Sequence, residues 1–305
     1  MPIKTLIVLL GPTSVGKTEM CIELAESLHI PIINADSRQI YKGMSIGTAA
    51  PTLEQQKKIC HYFVETLPLD CYYSAACYES QALAIINQLL TEHDVALLSG
   101  GSMLYLDAVC KGIDDIPTVD DTTRRLIKQR LEEEGLEVLR NELRVIDPKT
   151  YNRIDLKNPR RIVHALEIYY STGQAYSSFL GQPKQQRPFR IIKIGLTRER
   201  KELFHLISTR TDRMIDMGLL EEARRLYPFR HLNALQTVGY TELFHYFEGE
   251  WTLDFAIDKI KRNTRVYAKK QMTWFKHDTD ISWFHPDEKR KIWELLNQEG
   301  IFPLS

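Results

Sequence analysis

The sequence predicts an α/β fold, a doubly wound parallel sheet core that carries an inserted all-helical domain. Three observations predict it. Short, mostly apolar segments at 6–10, 30–34, 95–99 and 191–196, bounded by turn signals, have the length of strands buried on both faces. Helical patterns at 19–28 and 78–92 separate the first three, which is the alternation that builds parallel sheets. From about 120 to 181 the pattern becomes helix after helix without a strand, and 191–196 then returns to strand. The implied division is 1–117 for the first part of the core, 118–188 for the insertion and 189–305 for the second part of the core.

The first strand runs directly into Gly11, Pro12, Thr13, Ser14, Val15, Gly16, Lys17 and Thr18, a full match to the phosphate-loop pattern GxxxxGK[ST] that opens onto a helix. Glycines let backbone amides curl around phosphate oxygens, the following helix turns its positive end toward them, and Lys17 adds a mobile charge. Thr18 would place its hydroxyl on Mg²⁺. The core is therefore expected to be P-loop NTPase-like, with its ligand at the carboxyl ends of the strands.

The second strand ends in Asn34, Ala35 and Asp36, so Asp36 shares a sheet edge with the phosphate loop. A carboxylate there can be a base or a magnesium partner, or it can cap the turn that follows. The third strand ends in Ser99, Gly100, Gly101 and Ser102; two glycines permit close approach to a ligand, and a plain turn fits equally well. That strand ends without the acidic magnesium ligand of many phosphate-loop hydrolases, which leaves room for the loop to hold a diphosphate leaving group. The insertion shows helical patterns at 122–134, 136–147 and 159–171, a basic cluster of Arg153, Arg160 and Arg161, and a closing polar stretch at 181–188.

Forty basic residues balance forty acidic ones, so any polyanion site must come from local segregation. Such segregation lies at 259–276. On a helix, Arg262, Arg265 and Lys269 share one face, while Ile260, Tyr267 and Trp274 recur every seven residues and are expected to face the core. The basic face either binds a polyanion or is merely solvated. Five cysteines without a CxxC pair argue against a disulfide framework or a zinc ribbon, and nine histidines show no metal-binding spacing. No stretch approaches a membrane span, so a cytoplasmic protein with no membrane partner is expected.

Taken in order along nearly the whole chain, these segments resemble the tRNA dimethylallyltransferases, also called tRNA isopentenyltransferases. The resemblance rests on the phosphate loop 11–18; Asp36, Ser37, Arg38, Gln39, Ile40 and Tyr41 followed by 43–48; 100–105; Asn158 to Arg161 with Ala165 to Glu167; and 264–275. Two positions depart from the family pattern: Ser102 stands where threonine is usual, which keeps the hydroxyl, and His61 with Tyr62 stands where paired histidines are common. The resemblance implies transfer of a dimethylallyl group from dimethylallyl diphosphate to the exocyclic amine of the adenine just 3′ of the tRNA anticodon. It further implies Mg²⁺ as cofactor, Asp36 as the base and Ser102 as its helper. Contacts to the anticodon stem-loop would come from Asp36, Ser37, Arg38, Gln39, Ser102, Arg124, Arg160, Arg161, Ile162, Val163 and His164, together with Arg262, Arg265 and Lys269. A monomer is the expected state. The competing reading is a small-molecule or nucleotide kinase, which shares the loop and an arginine-bearing helical lid.

Overall fold

A computed structural model describes residues 3–114, 116–181 and 186–302. Six strands, β1 (Thr5–Leu10), β2 (Ile32–Ala35), β3 (His61–Tyr62), β4 (Val95–Gly100), β5 (Arg190–Leu196) and β6 (Ile281–Phe284), form one sheet. The order is β3-β2-β4-β1-β5-β6, and every neighbouring pair is parallel. The four strands expected from sequence are present. Strands β3 and β6 were not foreseen, because two and four residues, mostly half-buried, leave too short an apolar run to register.

Alternation along β1 divides the core into two layers, as a pleated strand requires. Leu6, Val8 and Leu10 pack with α4 (Ala75–Glu92) and α5 (Met103–Lys111), while Ile7 and Leu9 pack with α1 (Lys17–Leu28). Burial on both faces is why β1 reads as an unbroken apolar run. Helix α10 (Arg200–Asp216) and α14 (Lys289–Gln298) join the α1 layer; α11 (Leu219–Leu226) and α12 (Tyr240–Phe247) join the other. The long α13 (Leu253–Phe275) gives Ile260 to one layer and Ala268 to the other. The short helices α2 (Ser45–Thr48) and α3 (Leu53–Lys58) follow β2.

The chain divides into two compact units, Met1–Cys110 with Arg187–Ser305, and Lys111–Gln186. The sequence expectation sets these boundaries at 117/118 and 188/189, and half of its polar closing stretch, 182–185, lies outside the described residues. The second unit holds α6 (Asp121–Glu134), α7 (Leu136–Ile146), α8 (Pro148–Arg153) and α9 (Pro159–Thr172). It has its own core of Ile127, Leu139, Leu143, Ile162, Ala165 and Leu166. Asp120, Asp147 and Asn158 cap three of these helices, each accepting a backbone N–H of the first turn.

Candidate functional site

Strand β1 delivers the phosphate loop to the carboxyl edge of the sheet, between β4 and β5. Gly11 is required there: a Cβ would stand 2.7 Å from the Leu196 carbonyl oxygen of β5. Gly16, with φ at 111°, sits in the left-handed region and starts α1, whose first residue is Lys17. The Lys17 ammonium donates to the carbonyls of Gly11 (3.0 Å) and Pro12 (2.8 Å). Burial, and then repulsion from Arg210, lower its pKa to about 8, against an attraction from Asp36.

A cavity of about 450 Å³ opens on this loop and takes its walls from Thr13 to Glu19, Asn34, Asp36, Ser99 to Gly101, Tyr267 and Gln271. Arg198, Arg210 and Arg213 also line it. Arg198 follows the end of β5 by two residues, donates from Nε to the Val15 carbonyl (2.9 Å) and pairs with Glu202. Arg210 donates to the hydroxyls of Thr13 (3.2 Å) and Ser14 (3.4 Å), and burial lowers its pKa. Four cations thus face Asp36 and Glu19, an arrangement suited to a ligand with several negative charges. The sequence reading missed all three arginines. Their signal was positional: β5 was recognised as a core strand, and Arg198, Arg210 and Arg213 come from the turn and helix directly after it.

Asp36 stands one residue past β2. Its Oδ1 accepts the backbone N–H groups of Arg38 (2.8 Å) and Gln39 (3.2 Å), so the capping role is real, and proton acceptance would fall to Oδ2. Ser102 is buried behind this turn, accepts the Ser37 N–H at 2.8 Å and hydrogen-bonds the Tyr267 hydroxyl. It therefore shapes the Asp36 turn and does not line the cavity. The Arg38 guanidinium donates to the carbonyls of Asn233 (2.8 Å) and Ala234 (3.3 Å), and the Gln39 amide to those of Thr48 and Ala49 (3.0 Å each). His61 reaches the cavity wall from β3, and burial lowers its pKa.

A second cavity of about 250 Å³ shares Thr13, Ser14, Asp36, Thr48, Arg210 and Tyr267 with the first. Its further walls include the apolar Ile207, Met214, Val238 and Ile260. A polyanion pocket and an apolar pocket therefore meet at Asp36. For a hard cation the first cavity offers hydroxyl oxygens from Thr18 and Ser99, which suits Mg²⁺. Burial pushes the pKa of the neighbouring Cys21 thiol up to about 12.

Several expected contact residues need correction. Ile162 is fully buried in the core of the Lys111–Gln186 unit, and Val163 packs against that core; Arg160 and Arg161, directly before them on α9, are exposed. Successive residues of a helix lie about 100° apart, so the segment 160–164 cannot turn all its side chains to one face. His164 is half-exposed, 3.6 Å from Glu167, and Arg124 is half-buried on α6. On α13, Arg262 and Lys269 are exposed, but Arg265 turns onto α10, donating to the Ser208 hydroxyl at 2.7 Å beside Phe204. Lys261 is paired with Asp212 at 2.6 Å, so the run is not wholly unopposed. Of the seven-residue repeat only Ile260 is core; Tyr267 opens onto the cavities, and Trp274 is exposed, its indole donating to Asp107 at 2.7 Å.

A family model described as IPP transferase matches residues 39–278. The chain is 58% identical over 297 residues to tRNA dimethylallyltransferase 1 of Bacteroides thetaiotaomicron, covering 97% of this chain and 96% of that protein. It is 59% identical over 293 residues to the protein of the same name from Phocaeicola vulgatus, covering 96% and 98%. Among solved structures it resembles the full-length tRNA isopentenylpyrophosphate transferase of Bacillus halodurans, with 34% identity and a TM-score of 0.70 over 97% of this chain and 96% of that one. A eukaryotic dimethylallyltransferase described as acting on tRNA matches with a TM-score of 0.80 over 99% of this chain and 81% of its own; at 24% identity this bears on the fold alone.

Proposed function

This chain belongs to the IPP transferase family, and we infer that it is a tRNA dimethylallyltransferase, a prenyltransferase that modifies tRNA. Its donor is dimethylallyl diphosphate, and its acceptor is the exocyclic amine of the adenine just 3′ of the anticodon. The observation that carries this finer reading is the junction of the two cavities: a cationic pocket on the phosphate loop runs into an apolar pocket, and Asp36 stands where they meet.

In the reaction, the amine lone pair attacks C1 of the dimethylallyl group, the C1–O bond breaks, and its electron pair leaves with diphosphate. The phosphate-loop amides, Lys17, Arg198, Arg210 and Arg213 gather the charge that develops on the departing oxygen. Mg²⁺ would be held by the Thr18 hydroxyl with the diphosphate oxygens, and when bound it would add positive charge against the same leaving group. Asp36 takes the amine proton on Oδ2 while Oδ1 keeps the turn in place. An adenine amine is a weak nucleophile, so holding it against C1 supplies much of the rate. The anticodon stem-loop is bound largely through phosphates, with Arg160, Arg161, Arg262 and Lys269 as exposed contacts and the target base out of its stack.

No helix among the described residues is long and apolar enough to cross a membrane. The test supplies bulk unmodified tRNA with radiolabelled dimethylallyl diphosphate or, separately, labelled ATP. Prenyl label should enter the RNA and ATP label should not. Label from ATP alone would establish phosphotransfer and overturn the reading.

A further inference from the structure

Helix α11 carries a charge inside its apolar stripe. Leu219, Glu222, Ala223 and Leu226 are its buried positions, at the i, i+3, i+4, i+7 spacing of a core-facing face, and Glu222 is only 1% exposed. A buried carboxylate is costly unless every lone pair is used. Here Oε1 accepts the Gly47 N–H (2.8 Å) and the Tyr240 hydroxyl (2.7 Å), while Oε2 accepts the Ile46 N–H (2.9 Å) and the Ser45 hydroxyl (3.4 Å). Both carboxylate oxygens are thus spent on one four-residue turn and one tyrosine.

That turn is functional ground. Gly47 and Thr48 line the apolar cavity, and a Cβ at Gly47 would stand 2.4 Å from the Tyr240 ring, so the turn fits against the tyrosine with no room to spare. The next link is the Gln39 amide, whose Nε2 donates to the carbonyls of Thr48 and Ala49 at 3.0 Å each. The Gln39 backbone N–H in turn donates to Asp36 Oδ1 at 3.2 Å. A continuous hydrogen-bonded path therefore runs from Glu222 through the turn at 45–49 and Gln39 to Asp36.

We propose that Glu222, held by Tyr240, is a positioning residue that sets the place of Asp36 by fixing the turn on which Gln39 is anchored. The proposal rests on the assignment of Asp36 as the base. An isosteric amide at position 222 keeps the shape but turns an NH₂ group toward partners that are themselves donors, so the turn must shift. A small displacement of a reacting group is enough to slow chemistry about tenfold to a hundredfold.

The test is a double-mutant cycle on kcat at saturating tRNA and donor, with Glu222→Gln, Gln39→Met and the double variant. A single path predicts that each change lowers kcat about tenfold or more and that the double variant is no slower than the worse single variant, within about twofold. The Kd for tRNA in filter binding should stay within about threefold of wild type, a split from kcat that general destabilisation would not produce. Multiplying losses in the double variant, or Glu222→Gln with wild-type kcat, would overturn the proposal. If Glu222→Gln does not fold, Tyr240→Phe, which removes one of the four bonds, takes its place in the cycle with the same criterion. Wild-type protein assayed alongside separates the two levels, because absence of prenyl transfer by wild type would count against the function itself and not against the path.

Discussion

Replacing Gln271 with leucine should weaken the grip on the donor and leave the RNA interface alone. Gln271 is 1% exposed, on the inner face of α13, and both ends of its amide are used. Oε1 accepts the Thr13 N–H at 2.9 Å, and Nε2 donates to the Gly101 carbonyl at 2.8 Å. One side chain thereby ties the phosphate loop to the end of β4, and the fit is close, since a Cβ on Gly101 would lie 2.5 Å from Nε2. Leucine fills similar space but strands the Thr13 N–H and the Gly101 carbonyl. An orphaned buried polar group costs roughly 1–3 kcal/mol. If one such cost is spent on reordering the loop when diphosphate binds, donor affinity falls about fivefold to 150-fold. Steady-state kinetics at saturating tRNA should show that rise in donor KM, while filter binding to an anticodon stem-loop gives a wild-type Kd. A folded Gln271→Leu protein with unchanged donor KM would refute the reasoning. Gln271→Glu sharpens it: the acceptor for Thr13 is kept, but an oxygen now opposes the Gly101 carbonyl, and the variant should fare no better than leucine.

Other expectations follow from the same geometry. Asp36→Asn preserves the Oδ1 cap but removes the base, so kcat should drop about a hundredfold or more while tRNA affinity is kept; lost affinity with a normal saturated rate would make Asp36 a turn residue only. With its pKa lowered to about 8, Lys17 is charged below that pH and neutral above it in the free protein. Donor affinity should therefore be highest below pH 8 and fall above it, with proton uptake on binding measurable by calorimetry in buffers of different ionisation enthalpy. Lys17→Ala should abolish both the pH step and most of the transfer; a step that survives would assign it to another group. On α13, Arg262→Ala and Lys269→Ala should each make the slope of log affinity against log salt shallower by up to about one unit. Arg265→Ala, which loses its Ser208 contact, should instead lower the melting temperature with an unaltered slope.

What could be read from the sequence was local, and what could not was set by neighbours distant in the chain. The phosphate loop was legible because one segment of eight residues holds the glycines, the lysine and the helix start together. The arginines of the same pocket were not, because their role depends on β5 lying beside β1, a pairing across 185 residues seen in the register of Thr5 against Arg190. The seven-residue repeat on α13 correctly named one face of a helix, yet periodicity fixes which residues share a face and not what covers it. Ile260 meets core, Tyr267 meets a cavity and Trp274 meets Asp107 near solvent. Taking 160–164 as a unit failed for the converse reason: a contiguous segment of helix must turn Ile162 inward when Arg160 and Arg161 face out. Glu222 shows a signal that was present and unread, an acid at a core position of an amphipathic helix. Such a residue breaks the local pattern at a cost that only partners elsewhere can offset, and following it to those partners leads, through Gly47 and Gln39, to Asp36.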